Sequence, residues 1–309
     1  MKTAFLFAGQ GSQKVGMGKD FYDAFPDLRP LYEEHTLDFD VAKCCFEGPK
    51  EMLDDTAYAQ SCLLLTSIVM AEALKQKGIV PQVVSGLSLG EYSALTYSGA
   101  FSLKDALTLT RKRGELMAYA LPKGTGKMAA VLNTEADVIQ KACAEASDMG
   151  VCEVANYNCP GQIVISGETK AIDKAMELLK EAGVRRIVPL NVSGAFHSSL
   201  LDDASLELKK VLDTVEVHEP QIPVVYNVSG NFETRPVKDL LVEQIHSSVW
   251  FEKGIRTMIA DGVDTFIEIG PGKACSGFVK KTDKGVTIMN VEDLASFEKV
   301  VKYFEESNQ

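Results

Sequence analysis

The sequence predicts an α/β protein: a parallel sheet covered by helices and interrupted by a small β-α-β-β-α-β module. Three observations carry this. Runs at residues 3–8, 82–86, 223–227, 265–269 and 287–291 are short, apolar on both faces and separated by helix-like stretches, as buried parallel strands require. Between the second and third runs, residues 125–191 show their own alternation of strand and helix patterns. The composition is that of an ordinary globular chain, with 46% hydrophobic and 24% charged residues in 309.

The elements follow in order. Residues 3–8 are too few for a secretory core and lead into Gly9-Gln10-Gly11-Ser12-Gln13, so they read as a buried first strand. Residues 57–77 read as a long buried helix, stopped by Gly78 and Pro81. Lys75 and Lys77 close the longest apolar run, 63–74, short of a membrane span. Residues 103–120 read as a helix with Ser102 as N-cap and Asp105 completing a capping box. After the turn Pro122-Lys123-Gly124-Thr125-Gly126 come strand 128–132, helix 135–147, strands 151–156 and 162–166, helix 168–182 with Gly183 as its stop, and strand 186–190. That order is ferredoxin-like. The chain therefore divides into a large α/β domain, 1–124 and 192–309, and an inserted small domain, 125–191.

Seven cysteines, an odd number with no C-x-x-C pair, argue against a disulfide framework or a zinc site and for a reducing cytoplasmic setting. A net charge of −11 disfavours nucleic acid as a partner.

The chemistry centres on Val83-Val84-Ser85-Gly86-Leu87-Ser88-Leu89-Gly90-Glu91-Tyr92. Apolar β-branched residues feed a Gly-x-Ser-x-Gly turn and a helix-compatible segment follows, the form of a nucleophile elbow in an α/β-hydrolase-like domain. Of four histidines, His35 and His218 lie in polar, solvated stretches. His246, near Trp250, reads as buried and structural. His197, in Ser193-Gly194-Ala195-Phe196-His197-Ser198-Ser199, opens a helix after the last strand of the insert and is favoured as the base. No acid between Ser88 and His197 stands out as a third triad member, which counts against an ordinary lipase or esterase. Arg113 shares a helix face with Ala106, Leu109, Thr110, Met117 and Ala120, so it points inward. A buried guanidinium needs an anionic partner. A structural ion pair and a two-pronged clamp on a substrate carboxylate both remain open. In Gly9-Gln10-Gly11-Ser12-Gln13, Lys14 stands where a dinucleotide loop wants its last glycine. A backbone oxyanion donor suits this strand end better.

Together with Arg113-Gly114, Asn156-Tyr157-Asn158-Cys159-Pro160-Gly161-Gln162 and Glu268-Ile269-Gly270-Pro271-Gly272, these motifs resemble the malonyl-CoA:acyl carrier protein transacylases of type II fatty acid synthesis across essentially the full chain. The resemblance implies Ser88 as nucleophile and His197 as base, with the Gln244 backbone carbonyl orienting the histidine in place of an acid. It implies an oxyanion hole from the N–H groups of Gln10 and Leu89, and Arg113 on the malonyl carboxylate. Asn156, Asn158, Phe196 and Met117 complete the substrate-binding set, Phe196 being the malonyl-selective form. Leu87 replaces the histidine common before the nucleophile, and Ala8 a frequent proline. The implied partners are malonyl-CoA and an acidic acyl carrier protein docking on Arg185, Arg186, Lys280, Lys281 and Lys284. Neither nucleic acid nor membrane is expected, nor a metal or organic cofactor, and the chain is expected to be a monomer. The rivals are a stand-alone polyketide acyltransferase, a serine esterase or thioesterase, and a non-enzymatic scaffold.

Overall fold

The computed structural model describes residues 1–192 and 194–307. Its strands are β1 (Thr3–Phe7), β2 (Val83–Gly86), β3 (Gly126–Leu132), β4 (Cys152–Cys159), β5 (Gln162–Glu168), β6 (Arg186–Pro189), β7 (Val225–Tyr226), β8 (Asn231–Phe232), β9 (Thr265–Ile269) and β10 (Thr287–Val291). The runs apolar on both faces assemble a parallel sheet in the order β10-β9-β1-β2. Every residue of β1, β2 and β9 is buried, as expected for strands covered by helices on both sides.

Residues 223–227 do not form a fifth full strand of this sheet. Val224 makes one parallel bridge to Val84, and β7 pairs antiparallel with β8. Pro223 has no N–H for a ladder, and the Asn227 N–H is used elsewhere, on the Glu91 carboxyl.

Residues 126–189 form a second, antiparallel sheet in the order β4-β5-β3-β6. Helices Ala136–Ala146 and Thr169–Glu181 pack on Ala129, Val131, Ile163 and Ile165 from one face of that sheet. The alternate residues Met128, Ala130 and Val164 face the other way, into the main core, as period-2 alternation requires. β4 runs three residues beyond the predicted end at 156. Register shifts between Val154 and Asn156 and between Tyr157 and Cys159 bend it and re-aim its side chains.

The helix Thr56–Gln76 has 21 residues. Contrary to the sequence expectation, it is long and apolar enough to cross a membrane by length and composition. The helix adds residues 56–62, uncharged although Thr56, Gln60 and Ser61 are polar, ahead of the run 63–74. It is instead a core helix, buried on nearly all sides, against which the helix Leu103–Tyr119 packs. Ser102 caps that second helix as predicted, its Oγ accepting the Asp105 N–H at 3.1 Å.

Candidate active site

β2 ends at Gly86, and the helix Leu89–Tyr97 starts three residues later. Ser88, between them, has φ 53° and ψ −100°, a strained conformation for a non-glycine residue that costs roughly 1–3 kcal/mol. Glycines permit the turn: a Cβ at Gly86 would lie 2.0 Å from the Gly90 carbonyl carbon, and one at Gly90 would lie 2.1 Å from the Phe7 oxygen. Two amide side chains lock it. Asn227 Oδ1 accepts the Ser88 N–H at 2.7 Å, while Asn227 Nδ2 donates to the Gly86 carbonyl at 2.8 Å. Gln244 Nε2 donates to the Ser88 carbonyl at 2.8 Å.

Ser88 Oγ lies 2.7 Å from His197 Nε2. His197 Nδ1 lies 2.9 Å from the Gln244 backbone oxygen. A carbonyl only accepts, so Nδ1 carries the proton and Nε2 is free to accept from the serine hydroxyl. The geometry therefore has a histidine oriented by a carbonyl and, among the described residues, no carboxylate bonded to it. The ring is 4% exposed. Burial, with the Arg113 cation adding to it, lowers its pKa to about 4, so it is neutral and basic at pH 7. His246 is outside this arrangement. It is not the buried residue expected: its side chain is 30% exposed and its Nδ1 pairs with Asp202 Oδ1 at 2.6 Å.

Arg113 is fully buried. Its Nη1 donates to Gln60 Oε1 at 2.8 Å, and its Nη2 to Gln244 Oε1 at 2.9 Å and Ser88 Oγ at 3.1 Å. Its Nε–H has no acceptor among the described residues, and the Tyr92 ring lies 4.9 Å away. The anionic partner expected from the sequence is absent from these bonds: neutral amide oxygens hold the guanidinium. The acid that acts on it through its charge is Glu91, also fully buried, which burial pushes up to about 8 against the pull of the Asn227 N–H and of Arg113. Arg113 sits beneath Ser88 and makes no part of the cavity wall.

That cavity, of about 430 Å³, is lined by Ser88, His197, Phe196, Met117, Asn156 and Asn158 among others. All six predicted residues thus meet at one space between the two sheets. Gln10 also lines it, and its side chain donates to Thr56 Oγ1 at 2.8 Å. The backbone N–H groups of Gln10 and Leu89 have no protein acceptor among the described residues, which leaves both able to donate to a ligand. Leu87 is part of the wall and packs toward the cluster containing Phe278.

None of Arg185, Arg186, Lys280, Lys281 and Lys284 lines the cavity. Arg185 and Arg186 border a separate recess with residues 132–135. Lys280 and Lys281 occupy the last turn of the helix Ala274–Thr282, whose first residue does reach the cavity. The basic side chain on the wall is Lys273, which sequence reasoning did not single out. It also missed Gln60, Asn227 and the side chain of Gln244. Gln60 left one signal, a long amide side chain inside a helix read as buried. Asn227 left none, because its contacts with the elbow are 139 and 141 residues away.

A strained serine, a histidine without an acid and a buried cation beneath them suit acyl transfer through a serine ester. Residues 4–303 match the acyl transferase domain family, and the chain belongs to it. A malonyl CoA-acyl carrier protein transacylase of Bacillus subtilis is 46% identical over 99% of this chain and 98% of its own length. One of Staphylococcus aureus is 41% identical over 95% and 96%. The crystal structure of the Clostridium perfringens transacylase superposes with a TM-score of 0.96, at 43% identity, covering 100% of this chain and 98% of the other. A malonyl-transacylase solved in complex with its type II polyketide acyl-carrier protein superposes with a TM-score of 0.95, at 34% identity, covering 98% and 100%. Within the acyl transferases, the chain is a member of the malonyl CoA-acyl carrier protein transacylase family.

Proposed function

We propose that the chain moves a malonyl group from malonyl-CoA to the phosphopantetheine thiol of acyl carrier protein, through a malonyl ester on Ser88, in fatty acid synthesis. The observation that carries this is Arg113: a fully buried guanidinium with no carboxylate bonded to it among the described residues, one hydrogen bond from the nucleophile. Such a cation favours a ligand that brings its own carboxylate. Its unpartnered Nε–H and the Nη2–H now on Ser88 Oγ are the donors a malonyl carboxylate would take up.

His197 Nε2 takes the Ser88 proton as Oγ attacks the thioester carbonyl. The tetrahedral oxyanion rests on the Gln10 and Leu89 N–H groups, a contribution of about 3–4 kcal/mol per donor. The C–S bond breaks, His197 returns the proton to sulfur, and CoA leaves. The carrier thiol then gives its proton to His197, attacks the ester and restores Ser88. The reaction balances without a cofactor or metal. An unpaired Arg113 in the acetyl complex would disfavour acetyl groups. Asn156, Asn158, Met117 and Phe196 form the wall along which the pantetheine arm would lie.

The same reading makes 1–124 and 192–309 an α/β-hydrolase-like domain and 125–191 a ferredoxin-like insert, supported by the β4-β5-β3-β6 order. Docking of the acidic carrier on Lys280, Lys281 and Lys284, with Arg185 and Arg186 further off, belongs to this proposal, as do a monomeric state and a cytoplasmic setting. The seven cysteines are all free and buried, which suits a reducing compartment.

The test is the fate of the acyl group. With malonyl-CoA alone, CoA release should stop after one equivalent, and adding holo carrier protein should yield malonyl-carrier. Continuous CoA release without an acceptor would make the protein a thioesterase.

A further inference from the structure

β4 gives Asn156 and Asn158 to the cavity wall. The same strand is bonded to both segments that set the histidine. Towards residues 244–249, Ser248 Oγ donates to the Val154 carbonyl at 2.5 Å, Val249 N–H to the Ala155 carbonyl at 2.8 Å, and Tyr157 N–H to the Val249 carbonyl at 2.9 Å. Gln244, whose carbonyl orients His197, begins that segment. Towards the histidine, Glu153 Oε2 accepts the Ser199 N–H at 2.8 Å and Oε1 accepts the Ser199 hydroxyl at 2.7 Å.

Ser199 opens a single turn, Ser199–Leu201, that leads into the helix Asp202–Asp213. The turn has no side-chain cap of its own, and the Ser198 hydroxyl before it donates to the Ala195 carbonyl at 2.7 Å. Glu153 therefore supplies an N-terminal cap from the other sheet. His197, two residues earlier, has φ 55°, a left-handed conformation that non-glycine residues keep only when their surroundings impose it. The His246–Asp202 pair ties the same two segments together on the outside.

We propose that Glu153 is a positioning residue for the base: it holds the 197–199 turn so that His197 stays between Ser88 Oγ and the Gln244 carbonyl. It touches neither the substrate nor the reacting atoms. Through it, the strand that lines the acyl cavity is rigidly linked to the histidine. This rests on the Ser88–His197 reading given above. The charged and titratable groups around His197 are Arg113 beneath it, and Glu153, Asp202, Glu243, His246, Tyr157, Cys143 and Cys152 about the recess on its outer side.

The experiment compares wild type, Glu153→Ala and Glu153→Gln. It measures the malonyl-CoA acylation rate and KM from pH 4 to 8, with the folded fraction checked by thermal melting. A histidine displaced by a fraction of an ångström to 1 Å should lose about 10- to 100-fold in rate, with KM unchanged within about twofold. Loosening should also admit water and move the acid limb of Glu153→Ala upward from near pH 4 towards the ordinary histidine range. Glu153→Gln keeps one carbonyl acceptor for Ser199 without the charge, so it should recover most of the rate and the wild-type limb. A Glu153→Ala enzyme with wild-type rate and limb would overturn the proposal. So would a rate loss fully accounted for by unfolded protein, or a Gln variant as displaced as Ala, which would assign the effect to charge. A wild type that takes no malonyl group would sink the Ser88–His197 reading instead.

Discussion

Replacing Arg113 with alanine should change which acyl group the protein accepts more than whether it accylates at all. In the free protein the guanidinium makes three hydrogen bonds, to Gln60, Gln244 and Ser88. A malonyl carboxylate would take two charge-assisted bonds from it, each worth about 1.5–3 kcal/mol. Their loss, about 3–6 kcal/mol, corresponds to roughly a 150- to 25,000-fold fall in kcat/KM for malonyl-CoA. Acetyl-CoA has no carboxylate to lose and leaves the cation unpaired, so its kcat/KM should fall far less. The orphaned oxygens of Gln60 and Gln244 cost stability, about 1–3 kcal/mol each, and this burden is common to both substrates. Acylation rates with malonyl-CoA and acetyl-CoA, measured on folded enzyme, give the ratio directly. An equal fall for both substrates would refute the clamp and leave Arg113 as a structural support of the elbow.

Three further outcomes follow from the same geometry. Since His197 is active when neutral and its pKa is lowered to about 4, kcat/KM should hold from pH 7 down to near pH 4 and fall below it; a limb at pH 6–7 in the pH–rate profile would contradict the buried histidine. Because Glu91 loses its proton only near 8, a new negative charge beside Arg113 should weaken malonyl transfer above that pH, while acetyl transfer and Glu91→Gln should show no such alkaline limb. Asn227→Ala removes two of the three side-chain ties on the elbow, leaving that of Gln244, and should lower kcat about 10- to 100-fold with little change in KM; a KM effect alone would mean that Asn227 holds substrate rather than Ser88.

What the sequence revealed depended on how local each signal was. Thr265–Ile269 and Thr287–Val291 were legible to the residue because each is a short, mostly apolar stretch bounded by turns. Residues 223–227 looked the same by composition, and only their missing N–H at Pro223 distinguishes them. Ser88 was legible because its strain needs Gly86 and Gly90 within two residues. Arg113 was legible from helix periodicity, but not the neutrality of its partners, since Gln60 and Gln244 lie 53 and 131 residues away. The role of Gln244 rested on resemblance, because a backbone carbonyl leaves no mark in a sequence. The same distance hid Glu153, which reaches Ser199 across 46 residues. The helix 57–77 was legible as a buried one, but its membrane-like length and composition were not, because a core helix and a membrane helix share a composition and only packing separates them.

The central claim is that Ser88 carries a malonyl ester between two thiols. Intact-mass analysis of the protein after malonyl-CoA, and again after holo acyl carrier protein, tests it most directly. The account predicts one malonyl adduct on wild type, mapped to the Ser88 peptide, discharged onto the carrier, and absent from Ser88→Ala. An adduct of equal yield on Ser88→Ala, or one that the carrier thiol does not remove, would contradict it.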